Sequence, residues 1–378
     1  MIITLCMIVK NEEEYINMCL ENAMKLADEA IIVDTGSIDN TISLIESFSE
    51  NIKLLNHKWN NDFSEARNIS LEYAKGDLIL VLDADEKLLC DKEKLLNFIE
   101  ENKEFDVFTI PLYNILSAEK IIYSDVYCKL FRNKGYRYNG AVHEQITIEK
   151  SKMKAIPSEI CKIIHYGYLE DKKKQNEKAK RNLEISLSDL KKDPNNAFTH
   201  YNLGISYSSM GKFNKALDHF LRAHELDRGK IKGYTYYMLK RIAECLYYLK
   251  DYKTCIQFLE QVLEDDSLKK FPDLYYTLGE TYLSLKDYEN SISAFQGAIL
   301  AGETKDFISI RGMGSYMPKL MIAKVYTILN YTDEAVKWYV EAIFDPNNFN
   351  KSGLDEFKKY LIEHNYSDIL AELNNLTS

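Results

Sequence analysis

Asp83-Ala84-Asp85 closes the most strongly apolar run of the first half of the chain, Leu78-Ile79-Leu80-Val81-Leu82. In extended backbone, residues two apart point to the same side, so the two carboxylates are expected to converge where that run ends. Hard oxygen ligands of this kind suit Mg²⁺ or Mn²⁺ held together with substrate phosphates. Taken alone, the same residues read equally as acids that end a strand and open a turn. Two other polar insertions stand in apolar surroundings: Tyr138-Asn139-Gly140-Ala141-Val142-His143-Glu144-Gln145 and Ile163-Ile164-His165-Tyr166-Gly167-Tyr168. They supply an acid and two imidazoles to the inventory.

The elements that position these residues are legible from periodicity. Strands are expected at Ile2 to Val9, Ala30 to Asp34, Ile52 to Asn56 and Leu78 to Leu82. Helices are expected at Glu13 to Leu26, Asn40 to Ser49 and Ser64 to Lys75. That alternation implies βαβ units, hence an α/β fold with a mostly parallel sheet flanked by helices. Ligands of such sheets bind beyond the carboxyl ends of the strands, where Asp34, Asp83 and Asp85 fall.

After about Gly167 the period becomes helical throughout. The block Tyr201-Asn202-Leu203-Gly204-Ile205-Ser206-Tyr207, followed by Gly211, Ala216, Phe220 and Ala223, resembles the tetratricopeptide pattern. It recurs around Gly279 and, more weakly, around Ala243 and Ala323. Small residues at these four positions let two antiparallel helices approach closely, and each hairpin buries its apolar face by stacking on the next. The expected organisation is a sheet domain over residues 1–168, a helical linker over 169–195 and an all-α superhelix over 196–378.

Composition narrows the function classes. The 378 residues are 46% hydrophobic with a formal charge of −10, enough apolar material for two cores and the wrong sign for a general polyanion binder. No nucleic-acid partner is expected. The basic cluster Lys172-Lys173-Lys174, with Lys178, Lys180 and Arg181, reads as the solvated start of a helix. Seven scattered cysteines lack any C-x-x-C pair and read as reduced, mostly buried thiols. Neither a membrane span nor a signal peptide is indicated, so a cytoplasmic protein is expected.

Four motifs occur in order: Cys6-Met7-Ile8-Val9-Lys10-Asn11-Glu12, Val33-Asp34-Thr35-Gly36-Ser37-Ile38-Asp39, Trp59-Asn60-Asn61-Asp62-Phe63-Ser64-Glu65-Ala66-Arg67-Asn68, and Gly76 to Glu86. Together they resemble the family-two inverting glycosyltransferases of the GT-A fold, in the branch often fused to tetratricopeptide repeats. The resemblance implies a UDP-sugar donor, a Mn²⁺ or Mg²⁺ cofactor and inversion at the anomeric carbon. It assigns Thr4, Glu12, Asp34, Arg67, Asp83 and His143 to the nucleotide-sugar, Asp85 and His165 to the metal, and Glu144 to the role of catalytic base, with His143 as the rival both for the base and for the metal-binding histidine. The family often carries Glu-Asp at this last position, where this chain has His143-Glu144.

The repeats suggest a protein or peptide acceptor and a route to homo-oligomers. A surface polysaccharide or lipid-linked glycan is the alternative acceptor, and an inactive interaction scaffold the alternative function. A nucleotidyltransferase is disfavoured: it would need a glycine- and basic-rich loop where Lys10-Asn11-Glu12-Glu13-Glu14 stands, and that acidity repels a triphosphate.

Overall fold

The computed structural model describes residues 1–115, 121–124, 128–146, 148, 150–167, 169, 172–227, 233–304, 307–348 and 351–377. Tyr168, the expected end of the sheet domain, lies outside the described residues. The chain forms two compact units that divide after residue 228, so the first helical hairpin groups with the sheet rather than with the later helices.

The first unit opens with β1 (Ile3–Val9), α1 (Ile16–Ala23), β2 (Glu29–Asp34), α2 (Thr41–Phe48), β3 (Ile52–Asn56), α3 (Phe63–Tyr73) and β4 (Leu78–Val81), each within a few residues of its expected bounds. It continues with β5 (Glu86–Cys90), α4 (Lys92–Glu101), β6 (Val107–Thr109), β7 (Leu112–Ile115), β8 (Ile121–Ser124), β9 (Cys128–Arg132), β10 (Tyr138–Asn139), β11 (Gln145–Ile146), β12 (Met153–Ala155) and β13 (Cys161–His165). The helices α5 (Lys172–Lys192), α6 (Ala197–Ser209) and α7 (Phe213–Asp227) complete it.

Seven strands form the main sheet in the order β12-β6-β9-β4-β1-β2-β3. β1 runs parallel to β2 and β4, and β2 to β3; β9 is the antiparallel insertion, between β4 and β6. The central strands β1 and β4 are buried along almost their whole length because both faces are covered. Leu5, Met7 and Val9 enter the larger core with α1, whereas Cys6, Ile79, Val81 and Phe131 enter a smaller one beside Leu71 of α3. β5 pairs antiparallel with β13, which in turn lies parallel to β7. This ribbon brings the stretch after β4 against the end of β13.

The second unit is helical: α8 (Thr235–Tyr248) and α9 (Tyr252–Val262), α10 (Pro272–Ser284) and α11 (Tyr288–Ala301), α12 (Tyr316–Ile328) and α13 (Thr332–Ile343), then α14 (Leu354–Glu363) and α15 (Ser367–Thr377). One turn recurs in every hairpin, α6–α7 included. Gly211, Lys250, Lys286, Asn330 and Asn365 all take positive φ near 60–70°. The following N–H bonds back to the carbonyl five residues earlier, as from Lys212 to Tyr207 and from Asp287 to Tyr282.

Seven residues before the turn sits the small residue, and sixteen after it a large buried partner: Gly204 with Phe220, Ala243 with Leu259, Gly279 with Phe295, Ala323 with Tyr339. A Cβ on Gly204 would come within 2.5 Å of the Phe220 ring, and one on Gly279 within 2.7 Å of the Phe295 ring. The fifth hairpin, α14–α15, escapes the pattern because Lys358 and Asn374 hold those two positions. Among the described residues no helix is long and apolar enough to cross a membrane.

Candidate functional site

The residues singled out by type gather at the carboxyl edge of the main sheet, with one exception. Thr4 lies near the amino end of β1, fully buried, where its hydroxyl donates to Glu29 Oε1 at 2.6 Å and accepts from Gly76 N at 2.8 Å. It ties β1 to the start of β4, and the strand length separates it from the site. The expectation that Thr4 faces a nucleotide is corrected accordingly.

Asp83 and Asp85 hold different partners. The extended backbone of β4 ends at Val81 and residues 84–85 form a turn, so the alternation that would align the two carboxylates is lost. Each acid anchors its own set of partners, and the two sets adjoin, since Asp83 acts electrostatically on both Asp85 and His165.

The first cluster centres on Arg67, held on α3 by a helix start in which Asp62 accepts from Glu65 N at 3.0 Å. Its Nη2 donates to Asp83 Oδ1 at 2.7 Å, and its Nε donates to Glu144 Oε1. Nη1 is buried without a hydrogen-bond partner among the described residues. Glu144 reaches α3 because the loop before it is pinned there: Asn68 exchanges hydrogen bonds with the Tyr138 backbone at 2.8 and 3.0 Å, and Phe63 N donates to Ala141 O at 2.9 Å. His143, in left-handed backbone with φ 53°, is exposed beside it.

Two further members of this cluster were not singled out by sequence. Lys129 of β9, only 7% exposed, donates to Asp83 Oδ2 at 3.1 Å and to Glu86 Oε2 at 2.9 Å. Burial alone would raise the Asp83 carboxyl, but Arg67 and Lys129 hold it well below the usual carboxylate range. Glu86, buried more completely, is pushed up by desolvation against the pull of Lys129. The signal for Lys129 was a lone cation inside the apolar run Cys128-Lys129-Leu130-Phe131; a charge buried in a strand needs a partner.

The second cluster holds Asp85 and His165. The register of β5 against β13 sets His165 opposite Glu86, and Tyr166 N donates to Asp85 O at 3.0 Å. His165 Nδ1 donates to Asn114 Oδ1 at 2.6 Å, which turns Nε2 toward Asp85 Oδ2 at 3.3 Å. Lys178 of α5 reaches the same oxygen at 3.7 Å. Desolvation works against the charge on both partners, yet their mutual attraction wins: the His165 imidazole is raised and the Asp85 carboxyl lowered.

An imidazole whose Nδ1–H is spent on Asn114 can face a carboxylate only across a proton or a cation. A histidine oriented by an amide oxygen is also a common arrangement around a metal. Gly167 leaves the space open, since a Cβ there would lie 2.3 Å from Asp85 Oδ2 and 2.7 Å from His165 Nε2. Asp85 and His165 are thus the two side chains that would hold a divalent cation here, beside the Lys178 ammonium. No group of three or more His, Cys, Asp or Glu side chains suited to a metal occurs among the described residues.

The remaining expectations find mixed placements. Asp34, 3% exposed, accepts from Gly36 N at 2.8 Å and Ser37 N at 3.0 Å; it shapes the turn after β2, where Gly36 takes φ 106°. Glu12 sits just past β1, its N–H donating to Thr41 Oγ1 at 2.7 Å. The basic stretch does start a helix, α5, but Lys178 and Arg181 are not simply solvated: Lys178 reaches Asp85, and Arg181 lies over the Phe63 ring at 4.9 Å.

Residues 4–163 match the family described as Glycosyl transferase family 2, and residues 197–230 and 272–301 each match a Tetratricopeptide repeat. A TPR repeat-containing protein of Synechococcus elongatus is 34% identical over 204 residues, 50% of this chain and 49% of that one. The SPbeta prophage-derived glycosyltransferase SunS of Bacillus subtilis is 28% identical over 225 residues, 58% of this chain and 53% of that one. An uncharacterized glycosyltransferase of Haemophilus influenzae is 38% identical over 109 residues, 27% of this chain and 43% of that one. The chain thus spans about half the length of the first two.

Proposed function

From a chain that carries a family 2 glycosyltransferase domain followed by tetratricopeptide repeats, we propose an enzyme that moves a sugar from a UDP-sugar, with inversion, onto a protein or peptide side chain. The observation that carries this reading is the buried guanidinium of Arg67, which uses Nε on Glu144 and Nη2 on Asp83 and leaves Nη1 unsatisfied among the described residues. A buried donor without an acceptor costs about 1–3 kcal/mol, and a diphosphate oxygen of the donor supplies one. The fork geometry of Arg suits that task better than the point charge of Lys.

In this reading the acceptor attacks the anomeric carbon from the face opposite the diphosphate. Glu144 takes the acceptor's proton through Oε2, while Arg67 holds Oε1 and so fixes the carboxylate's direction. The bond from the anomeric carbon to the diphosphate oxygen breaks, its electron pair leaves with UDP, and the configuration inverts. Lys129 keeps Asp83 and Glu86 in place beneath the donor. Asp85 and His165 are the residues that would hold Mn²⁺ or Mg²⁺; bound there, the cation would neutralise charge on the departing diphosphate. Repeat arrays present extended surfaces to peptides, which supports a polypeptide acceptor.

Incubation of the full chain with a panel of UDP- and GDP-sugars and Mn²⁺, with and without cell extract, tests the proposal through nucleotide release. UDP release from one sugar donor, stimulated by a protease-sensitive component of the extract, is the expected result. Release with none of the donors would overturn the enzymatic reading, and stimulation that survives protease would transfer the acceptor to a glycan or lipid.

A further inference from the structure

We propose that Cys90 and Cys161 form a reversible cross-strand disulfide, a thiol-modification site that staples together the two strands presenting Asp85 and His165. In the antiparallel pairing of β5 with β13, Cys161 stands directly opposite Cys90. Backbone hydrogen bonds run from Asp91 N to Ile160 O at 2.9 Å and from Tyr166 N to Asp85 O at 3.0 Å, one position beyond each end of the ribbon. Hydrogen-bonded and non-hydrogen-bonded pairs alternate along such a ladder, so the cysteine pair falls on a non-hydrogen-bonded rung, as does Glu86 with His165. Cα atoms on such rungs are about 4.5 Å apart, side chains close together, and a disulfide spans Cα separations of roughly 4.4–6.8 Å.

The two side chains leave the same face of the ribbon at one rung, so the thiols are neighbours. Its neighbour Cys90 and burial push the Cys161 thiol up. Cys90 is the half-buried member and Cys161 the fully buried one, which sets the order of reaction. With a small disulfide such as oxidised glutathione as oxidant, the Cys90 thiolate attacks one sulfur and expels a glutathione thiolate, leaving a mixed disulfide. Cys161 gives up its proton, attacks the Cys90 sulfur and displaces the second glutathione thiolate. Two protein thiols are oxidised and one glutathione disulfide is reduced to two thiols. Other strand cysteines lack such a neighbour: Cys6 faces Ile31 and Val81, and Cys128 faces Thr109.

The link would close a long loop, from the end of β5 to the start of β13, so it restricts the unfolded chain strongly and raises resistance to heat. The test treats the full chain with oxidised glutathione, blocks free thiols, digests it and maps peptides by mass. The expected product is a peptide pair joined through Cys90 and Cys161, lighter by two hydrogens and undone by dithiothreitol, with a melting temperature that rises on oxidation and returns on reduction. Cys90→Ser and, separately, Cys161→Ala should each remove the link, whereas Cys6→Ser should keep it. Both cysteines remaining open to alkylation after oxidation, or a link formed only with a different cysteine, would overturn the proposal.

Discussion

Replacing Arg67 by methionine keeps much of the side chain's bulk and removes its fork. Glu144, whose side chain is 11% exposed, then loses its cation in a poorly solvated place. A hydrogen bond to a charged partner contributes about 1.5–3 kcal/mol. Asp83 is 37% exposed and keeps Lys129, so water screens its share to about 1 kcal/mol or less. Loss of the unsatisfied Nη1 offsets part of this, so Arg67→Met should destabilise the first unit by at most about 3 kcal/mol. Adding Glu144→Gln removes the stranded charge, and the double-mutant cycle should show coupling of about 1.5–3 kcal/mol. The chain's two tryptophans make the assay selective. Trp59 packs edge-on against Phe63, at the start of the Arg67 helix, whereas Trp338 lies in the second unit. Urea unfolding of a Trp338→Phe background, followed by fluorescence, reports the first unit alone. Coupling below about 0.5 kcal/mol would refute the view that Arg67 and Glu144 act as a buried pair, and with it the assignment of Arg67 as the group that orients the base.

Three other outcomes follow from the same structure. Asp85→Ala should leave the fold intact by circular dichroism while abolishing Mn²⁺-dependent UDP release; retained release by the folded variant would sink the cation assignment. Gly279→Val should cost the second unit about 1–3 kcal/mol, because the first added carbon already meets the Phe295 ring at 2.7 Å, and thermal unfolding that leaves the Trp338 signal unchanged would contradict that packing. A chain ending after α7 should hydrolyse UDP-sugar but transfer poorly to the natural acceptor, since every candidate site residue lies in the first unit; transfer at the full rate would show that the later hairpins do not recruit it.

What the sequence determined by itself is local and periodic. Alternation of apolar strands with amphipathic helices marked β1 through β4 nearly residue by residue, because the inner strands β1, β2 and β4 are buried along almost their whole length and so read as near-continuous apolar runs. The spacing of Gly204, Ala243, Gly279 and Ala323 announced the hairpins, because close helix approach admits only small residues there. Motif resemblance named Arg67, Asp83, Asp85, Glu144 and His165. Which of these touch was a tertiary matter. A turn after β4 replaces the extended geometry that would have aligned the two aspartates, and residues distant in sequence complete each cluster: Lys129 from an antiparallel strand and Asn114 from β7, the strand paired with that of His165. Pairings across many residues depend on register and chain crossing, and no local pattern of residue types encodes them.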